Sequence, residues 1–201
     1  MDFHTHNLLA PAGEAVINIP MEWTLRPEQF RPRAGALYSA GIHPWWTADD
    51  AATLRMLHAL PLLLRHPQVV AVGECGIDLL RGARPERQEV VLREQLALAE
   101  QLQMPVTLHI VRAFDRLLRL RKELRPTLRW TVHGFRGRPA LARQLLDAGL
   151  DLSFGRRRNE ASFLLTPPDR RHEETDDDFP TPSVPNDAAP TDDMSPNKSL
   201  Q

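Results

Sequence analysis

His4 and His6, two residues apart at the start of the chain, are the first side chains whose type and spacing point to chemistry. On an extended strand successive side chains alternate faces, so Asp2, His4 and His6 share one face and both imidazoles can converge on a single metal ion. Three further metal-ligating residues occupy comparable positions. Glu74 follows an apolar run, His109 ends the run 105–109, and His133 ends the run 128–133. A lone histidine at a strand end is more often a packed or rim residue than a ligand. Four histidines and a glutamate, delivered by separate expected strands, match the rim where barrel enzymes place their active sites. Imidazoles suit Zn or Mn, and carboxylates keep Mg or Mn in the set, so one or two divalent ions are expected. A Glu74 bridging two ions would favour a dinuclear centre, which can activate water and clamp the attacking and leaving oxygens of an ester.

The elements that must position these residues follow from hydrophobic period. Apolar runs at 1–5, 15–19, 36–42, 69–74, 105–109, 128–133 and 149–154 read as strands, several continuously apolar as buried parallel strands are. Helix-period segments lie between them at 49–65, 86–103, 113–124 and 138–148; the second carries Val91, Leu92, Leu96, Ala99 and Leu102 on one stripe. Strands alternating with helices predict an α/β fold, a (β/α)8 TIM-type barrel with one strand still to be found.

Length and composition bound the rest. The 201 residues, 42% of them apolar, can bury one sizeable core. Cys75 is the single cysteine, which rules out an intramolecular disulfide and fits a cytoplasmic location. The longest apolar stretches are far too short to span a bilayer, so no membrane is expected as a partner. The net charge of −1 hides an asymmetry: residues 1–172 hold 24 Lys and Arg against 18 Asp and Glu, whereas residues 173–201 hold 1 against 8. Nearly all the positive charge is arginine, the side chain best suited to bidentate phosphate contacts. A barrel domain over 1–178 and a disordered, acidic, Pro-rich tail over 179–201 are expected.

A series of motifs carries a resemblance. In order they are Asp2-Phe3-His4-Thr5-His6, Gly41-Ile42-His43-Pro44-Trp45, Gly73-Glu74-Cys75-Gly76-Ile77-Asp78, the stretch from Gln95 to Ala99 leading to Pro105–Arg112 with His109, Val132-His133-Gly134-Phe135-Arg136-Gly137, and Glu174-Thr175-Asp176. Over roughly residues 1–176 the chain resembles the TatD-type metal-dependent hydrolases, the TatD family deoxyribonucleases of the amidohydrolase-like barrels. The resemblance implies His4, His6, Glu74, His109, His133 and Asp176 as metal ligands, with Asp176 also taking the proton of the attacking water. It further implies His43 and Arg112 as phosphate-side residues and DNA, including single-stranded DNA, as substrate. His58 and His66 lie away from the strand ends and are expected to pack or cap, and Cys75 is expected to be buried and inert.

The chain departs from the family at its end. Asp169 to Glu174 has poor strand propensity, the following helix is replaced by the Pro- and Asp-rich segment, and three aspartates in a row blur the ligand register. The expectation is therefore an incomplete or poorly formed last βα unit, with an apolar face that a second copy would cover. Two other functions stay open from sequence: another metallohydrolase of the same barrel type, such as an aminoacyl-tRNA deacylase, and a catalytically weakened binding or scaffold protein.

Overall fold

Each apolar run becomes one strand of a single parallel sheet. In the computed structural model, which describes residues 1–177, the strands are β1 (Asp2–Thr5), β2 (Ala15–Asn18), β3 (Leu37–Ala40), β4 (Val69–Asp78), β5 (Val106–Val111), β6 (Trp130–Val132), β7 (Asp151–Phe154) and β8 (Arg171–Glu173). They pair in sequence order from β1 to β8, forming a nearly closed barrel. The helices are α1 (Met21–Leu25), α2 (Asp50–Leu64), α3 (Pro85–Leu102), α4 (Phe114–Leu124), α5 (Pro139–Asp147) and α6 (Glu160–Leu165). Asp49 caps α2 by accepting from the Ala52 amide, Asn159 caps α6 by accepting from the Ser162 amide, and Pro85 and Pro139 open α3 and α5. Ile17, Val72, Leu108, Val132 and Leu152 on the strands and Leu60, Leu92, Leu117 and Leu145 on the helices form one continuous buried core. The expected tail over 179–201 lies outside the described residues.

Two bulges shape the barrel where the chemistry sits. On β4 the ladder passes from Val72 opposite Val106 to Cys75 opposite Leu108, so three steps of β4 face two of β5. On β1 it passes from Asp2 opposite Ala15 to Thr5 opposite Ile17. An extra residue re-aims the side chains at the irregularity, and Glu74 and His4 lie within these two. β4 also runs four residues past the expected end at Glu74, because Cys75–Asp78 continues to pair with β5. That pairing demands a glycine at 76, where a Cβ would stand 1.8 Å from the His109 carbonyl oxygen.

The weakly encoded end of the barrel forms a short strand, and each of its charges has a partner. β8 pairs in parallel with β7, placing Leu152, Ser153 and Phe154 opposite Arg171, His172 and Glu173. Arg170 and Arg129 converge on Asp151 at 2.9 and 3.2 Å, Arg171 lies 4.2 Å over the Phe163 ring, and Glu173 pairs with Arg158 at 2.8 Å. Polar residues replace an apolar strand because α6 and β7 supply aromatic and acidic counterparts. Across the remaining seam the Asp2 carboxylate accepts from the Thr175 amide and hydroxyl at 3.0 and 2.6 Å, and the Asp176 amide donates to the His4 carbonyl. Asp2 therefore fastens the end of the barrel to its beginning and does not join the histidines.

Asp151 is buried at 3% exposure and its carboxyl titrates below the usual range: burial raises it, and His172, Arg170 and Arg129 more than offset this. Asp151→Asn should destabilise the protein by about 2 kcal/mol, below the range for a fully buried pair because the arginines keep water contact, which is roughly 5 °C in a thermal melt. A depressed carboxyl contributes stability above the pKa of its unfolded form and loses it as pH falls through the folded value. Melts of both proteins should differ fully above about pH 4 and converge below it.

Candidate metal centre

Five imidazoles surround one buried carboxylate at the C-terminal side of the barrel. Glu74 is 3% exposed, and its two oxygens face different partners. Oε2 lies 3.3 Å from His4 Nε2 and 3.3 Å from His6 Nε2, at angles that make no hydrogen bond. Oε1 lies 2.6 Å from His109 Nδ1, 2.7 Å from His133 Nε2 and 3.1 Å from His43 Nε2. Asp176 Oδ1 closes the first set, 3.8 and 3.7 Å from His4 and His6 Nε2. Donor atoms of His4, His6 and Glu74, of His4, His133 and Asp176, and of His43, Glu74 and His109 each fall within 4.8 Å of one another.

The backbone aims these groups. β1 carries His4 inward at 0% exposure and places His6 just beyond its end; the other candidate ligands come from the β4 bulge, the middle of β5, the residue after β6 and the segment after β8. Below them, the Asn18 side-chain oxygen accepts from the Glu74 amide at 2.8 Å and from Ser39 Oγ at 3.2 Å. Two buried glutamines of α3, seven residues apart on one face, grip backbone: Gln95 accepts from the Ile42 amide and donates to its carbonyl, next to His43, and Gln88 does the same at Asp78. A cavity of about 250 Å³ opens over the cluster, walled by His6, His43, Trp45, Trp46 and His109 with Glu74, His133 and Asp176.

The electrostatics is that of a charged carboxylate held among nitrogen donors. Burial raises the Glu74 carboxyl, but the His133 charge and the close ring nitrogens of His109, His133 and His4 prevail and hold it well below the usual carboxylate range. Burial alone would neutralise His133; the charges of Glu74 and Glu174 instead lift it well above an ordinary histidine. At His43 burial prevails and keeps the imidazole below its ordinary value, and burial raises the Asp176 carboxyl despite His133 and His4. Cys75 is buried and its thiol is pushed up by burial and by Glu74, which leaves it unreactive.

The residues fit a divalent cation. His4 Nε2 and His6 Nε2 approach to 3.3 Å with a charged carboxylate oxygen between them that neither satisfies. A buried anion balanced by a protonated imidazole is the charge arrangement that a cation replaces when its ligands lose their protons. Imidazoles mixed with carboxylates suit Zn, Mn or Mg.

The structure brings together six of the sequence-predicted ligands, His4, His6, Glu74, His109, His133 and Asp176. It also places His43 beside Glu74, on the wall of the same cavity. Arg112 stands apart: it follows β5 at φ 55°, exposed, with no hydrogen bond or ion pair among the described residues. Two acids belong to the site that sequence reasoning did not single out. Asp78 accepts from the Trp45 indole at 2.6 Å and lies 3.4 Å from His109 Nε2. Glu174, 6% exposed, accepts from the Gly134 amide and Ser153 Oγ and lies 3.5 Å from His133 Nδ1. The signal for Asp78 was its place in the glutamate motif, and that for Glu174 its place in the Glu174-Thr175-Asp176 motif, although the charged run before it reads as solvated. His58 and His66 keep to the helix side as expected: His66 accepts from the Gln68 amide and packs on Phe30, and His58 lines a groove between α2 and α3.

Fold and site together define an eight-stranded parallel barrel with a histidine and carboxylate cluster at the C-terminal ends of its strands. The profile of the TatD related DNase family matches residues 23–191, and the chain belongs to that family. It is similar to the 3'-5' ssDNA/RNA exonucleases TatD of Erwinia amylovora, at 40% identity over 152 residues (69% of this chain, 56% of that protein), and of Klebsiella pneumoniae, at 40% over 119 residues (58% and 44%). The chain thus spans about half the length of the curated relatives it matches. Among solved structures, YJJV, the TatD homologue of Escherichia coli, superposes with a TM-score of 0.68 at 27% identity over 87% of this chain and 78% of that one. A TatD family hydrolase of Entamoeba histolytica shares the fold, with a TM-score of 0.66 at 24% identity over 81% and 60%.

Glu74→Gln removes the charge while keeping the shape. Elemental analysis and titration with Mn should show affinity reduced by more than about 100-fold, beyond the usual cost of losing a supporting residue; unchanged metal content would remove Glu74 from the ligand set.

Proposed function

We propose that the chain is a metal-dependent phosphodiesterase that shortens single-stranded DNA or RNA from an end. The observation that carries the reading is the division of the Glu74 oxygens between two sets of imidazoles in a chain of the TatD related DNase family. The names of the matched relatives, 3'-5' ssDNA/RNA exonucleases, support the choice of polymer and end.

In this reading His4, His6, Glu74 and Asp176 would hold one divalent ion, and Glu74, His109 and His133 would hold a second, with His43 nearby. Bound cations supply a lowered water pKa and offset charge on phosphoryl oxygens. Asp176, whose carboxyl is raised by burial, orients the attacking water and accepts its proton as the oxygen adds to phosphorus and the ester oxygen leaves. His43 keeps its imidazole neutral through burial. Trp45 and Trp46 wall the cavity and offer ring surface on which bases stack, and the Trp45 ring is fixed at its N–H edge by Asp78 and on one face by Arg81 at 4.5 Å. Arg112 meets the substrate only when a strand reaches its side of the rim.

The finer assignments are Mg, Mn or Zn as the cation and the cytoplasm as the compartment. The free, buried Cys75 accords with a reducing compartment, and among the described residues no helix is long and apolar enough to cross a membrane. A second copy over the last βα unit accords with Leu164, 70% exposed on α6.

The test is hydrolysis of end-labelled single-stranded DNA with Mg or Mn, with and without chelator. Chelator should abolish cleavage. Asp176→Asn should lower kcat by about 100- to 10,000-fold, the range of a general base. Full activity in Asp176→Asn with unchanged metal content would overturn its role as the base.

A further inference from the structure

A second cavity adjoins the metal centre and has the opposite character. Its volume is about 380 Å³, and Arg136, Arg156 and Arg157 line it together with Glu174, Thr175, Asp176 and Asp177. Asp176 is a wall of both cavities, so the arginines border the centre across one side chain. Arg136 stands on the loop after β6, and Arg156 and Arg157 on the loop after β7, all on the rim that carries the ligands.

What sets these arginines apart is the absence of partners. All three are exposed, and none makes a hydrogen bond or ion pair among the described residues. Arg158, the next residue, is by contrast fixed by Glu160 and Glu173 and lies 3.6 Å over Phe163. Two of the three acids in the same wall are committed elsewhere: Glu174 accepts from Gly134 and Ser153 and faces His133, and Asp176 faces His4 and His6; Asp177 is the third, so the three arginines outnumber the uncommitted acid. Three guanidinium forks around one open cavity, beside a phosphodiester-sized centre, suit an anion with several oxygens in a plane or tripod, as phosphate has.

We propose that Arg136, Arg156 and Arg157 form a subsite for non-scissile phosphates of a single-stranded nucleic acid, holding the strand beside the bond at the metal centre. The inference rests on the phosphodiesterase reading of that centre. It assigns the three arginines to binding and length preference, with no part in the chemistry: a diester with no neighbouring phosphate does not reach them, whereas an oligonucleotide does.

The experiment uses the full chain and the triple variant Arg136→Gln, Arg156→Gln, Arg157→Gln. A second triple variant, Arg55→Gln, Arg65→Gln, Arg143→Gln, changes net charge equally at exposed helix and helix-end positions away from the rim. Fluorescence anisotropy measures binding of a labelled single-stranded DNA of about twelve nucleotides, within the range such sites cover, in chelator and across a salt series. The rim variant should bind at least about tenfold more weakly, and its salt dependence should flatten by about 2 in slope, from roughly 0.7 per phosphate contact on a single strand. The helix variant should bind as the unaltered chain does. With Mn added, the rim variant should raise KM for the oligonucleotide about tenfold and leave hydrolysis of thymidine 5'-p-nitrophenyl phosphate unchanged. Equal binding and equal slope in the rim variant and the unaltered chain, or equal losses in both variants, overturn the subsite. Failure of the unaltered chain to hydrolyse either substrate overturns the phosphodiesterase reading instead.

Discussion

A carboxylate with almost no water contact must be compensated by its neighbours, and in this protein that requirement falls on Glu74. Stripping an isolated carboxylate of solvent costs more than a folded domain can supply, so the charge persists only because imidazoles from four strands or their ends converge on it. Each of those imidazoles is in turn held by the strand that carries it. The barrel and the cluster are thus mutually dependent: without the barrel the nitrogens disperse, and without compensation the carboxylate would not stay charged inside. The uneven division of the two oxygens, one facing His4 and His6 and the other facing His43, His109 and His133, gives the cluster a left and a right half joined by one side chain.

Precision at the centre comes from irregularity in the scaffold. A regular ladder would send alternate residues of β1 and β4 inward in strict step with their neighbours; the extra residue in each changes which side chains face the axis. Glycine at 76 lets β5 approach closely enough to bring His109 onto Glu74. Gln88 and Gln95 then pin the segments bearing Asp78 and His43 through paired backbone hydrogen bonds, which are costly to leave unmade in a buried position. At the far seam the Asp2 carboxylate and the Asp176 amide bring the end of the barrel to its beginning, which sets Asp176 beside His4.

Much of this was legible in the chain because buried parallel strands are apolar on both faces and stand out as short runs. The ligands at their ends could then be collected without knowing any distance, and His4, His6, Glu74, His109 and His133 converge as expected. β8 was not legible for the same reason in reverse. Arg171, His172 and Glu173 become a strand through partners at Asp151, Arg158 and Phe163, and no local pattern announces contacts that far along the chain. Glu174 was seen only as part of a motif and not as a site acid, because an acid in a charged run looks solvated until the fold buries it. The end of β4 was set too early because the apolar run stops at Glu74, whereas Gly73 and Gly76 accommodate a bulge and a close strand that carry the ladder on to Asp78. Helix α6 is too short for its period to be seen.

In the proposed reading one buried carboxylate would join two cation positions. Anomalous X-ray diffraction from crystals grown with Mn tests it most directly. Two anomalous peaks are expected, one beside Glu74 Oε2 among His4, His6 and Asp176, the other beside Oε1 among His43, His109 and His133. A single peak distant from Glu74, or none at Mn concentrations that support hydrolysis, would contradict it.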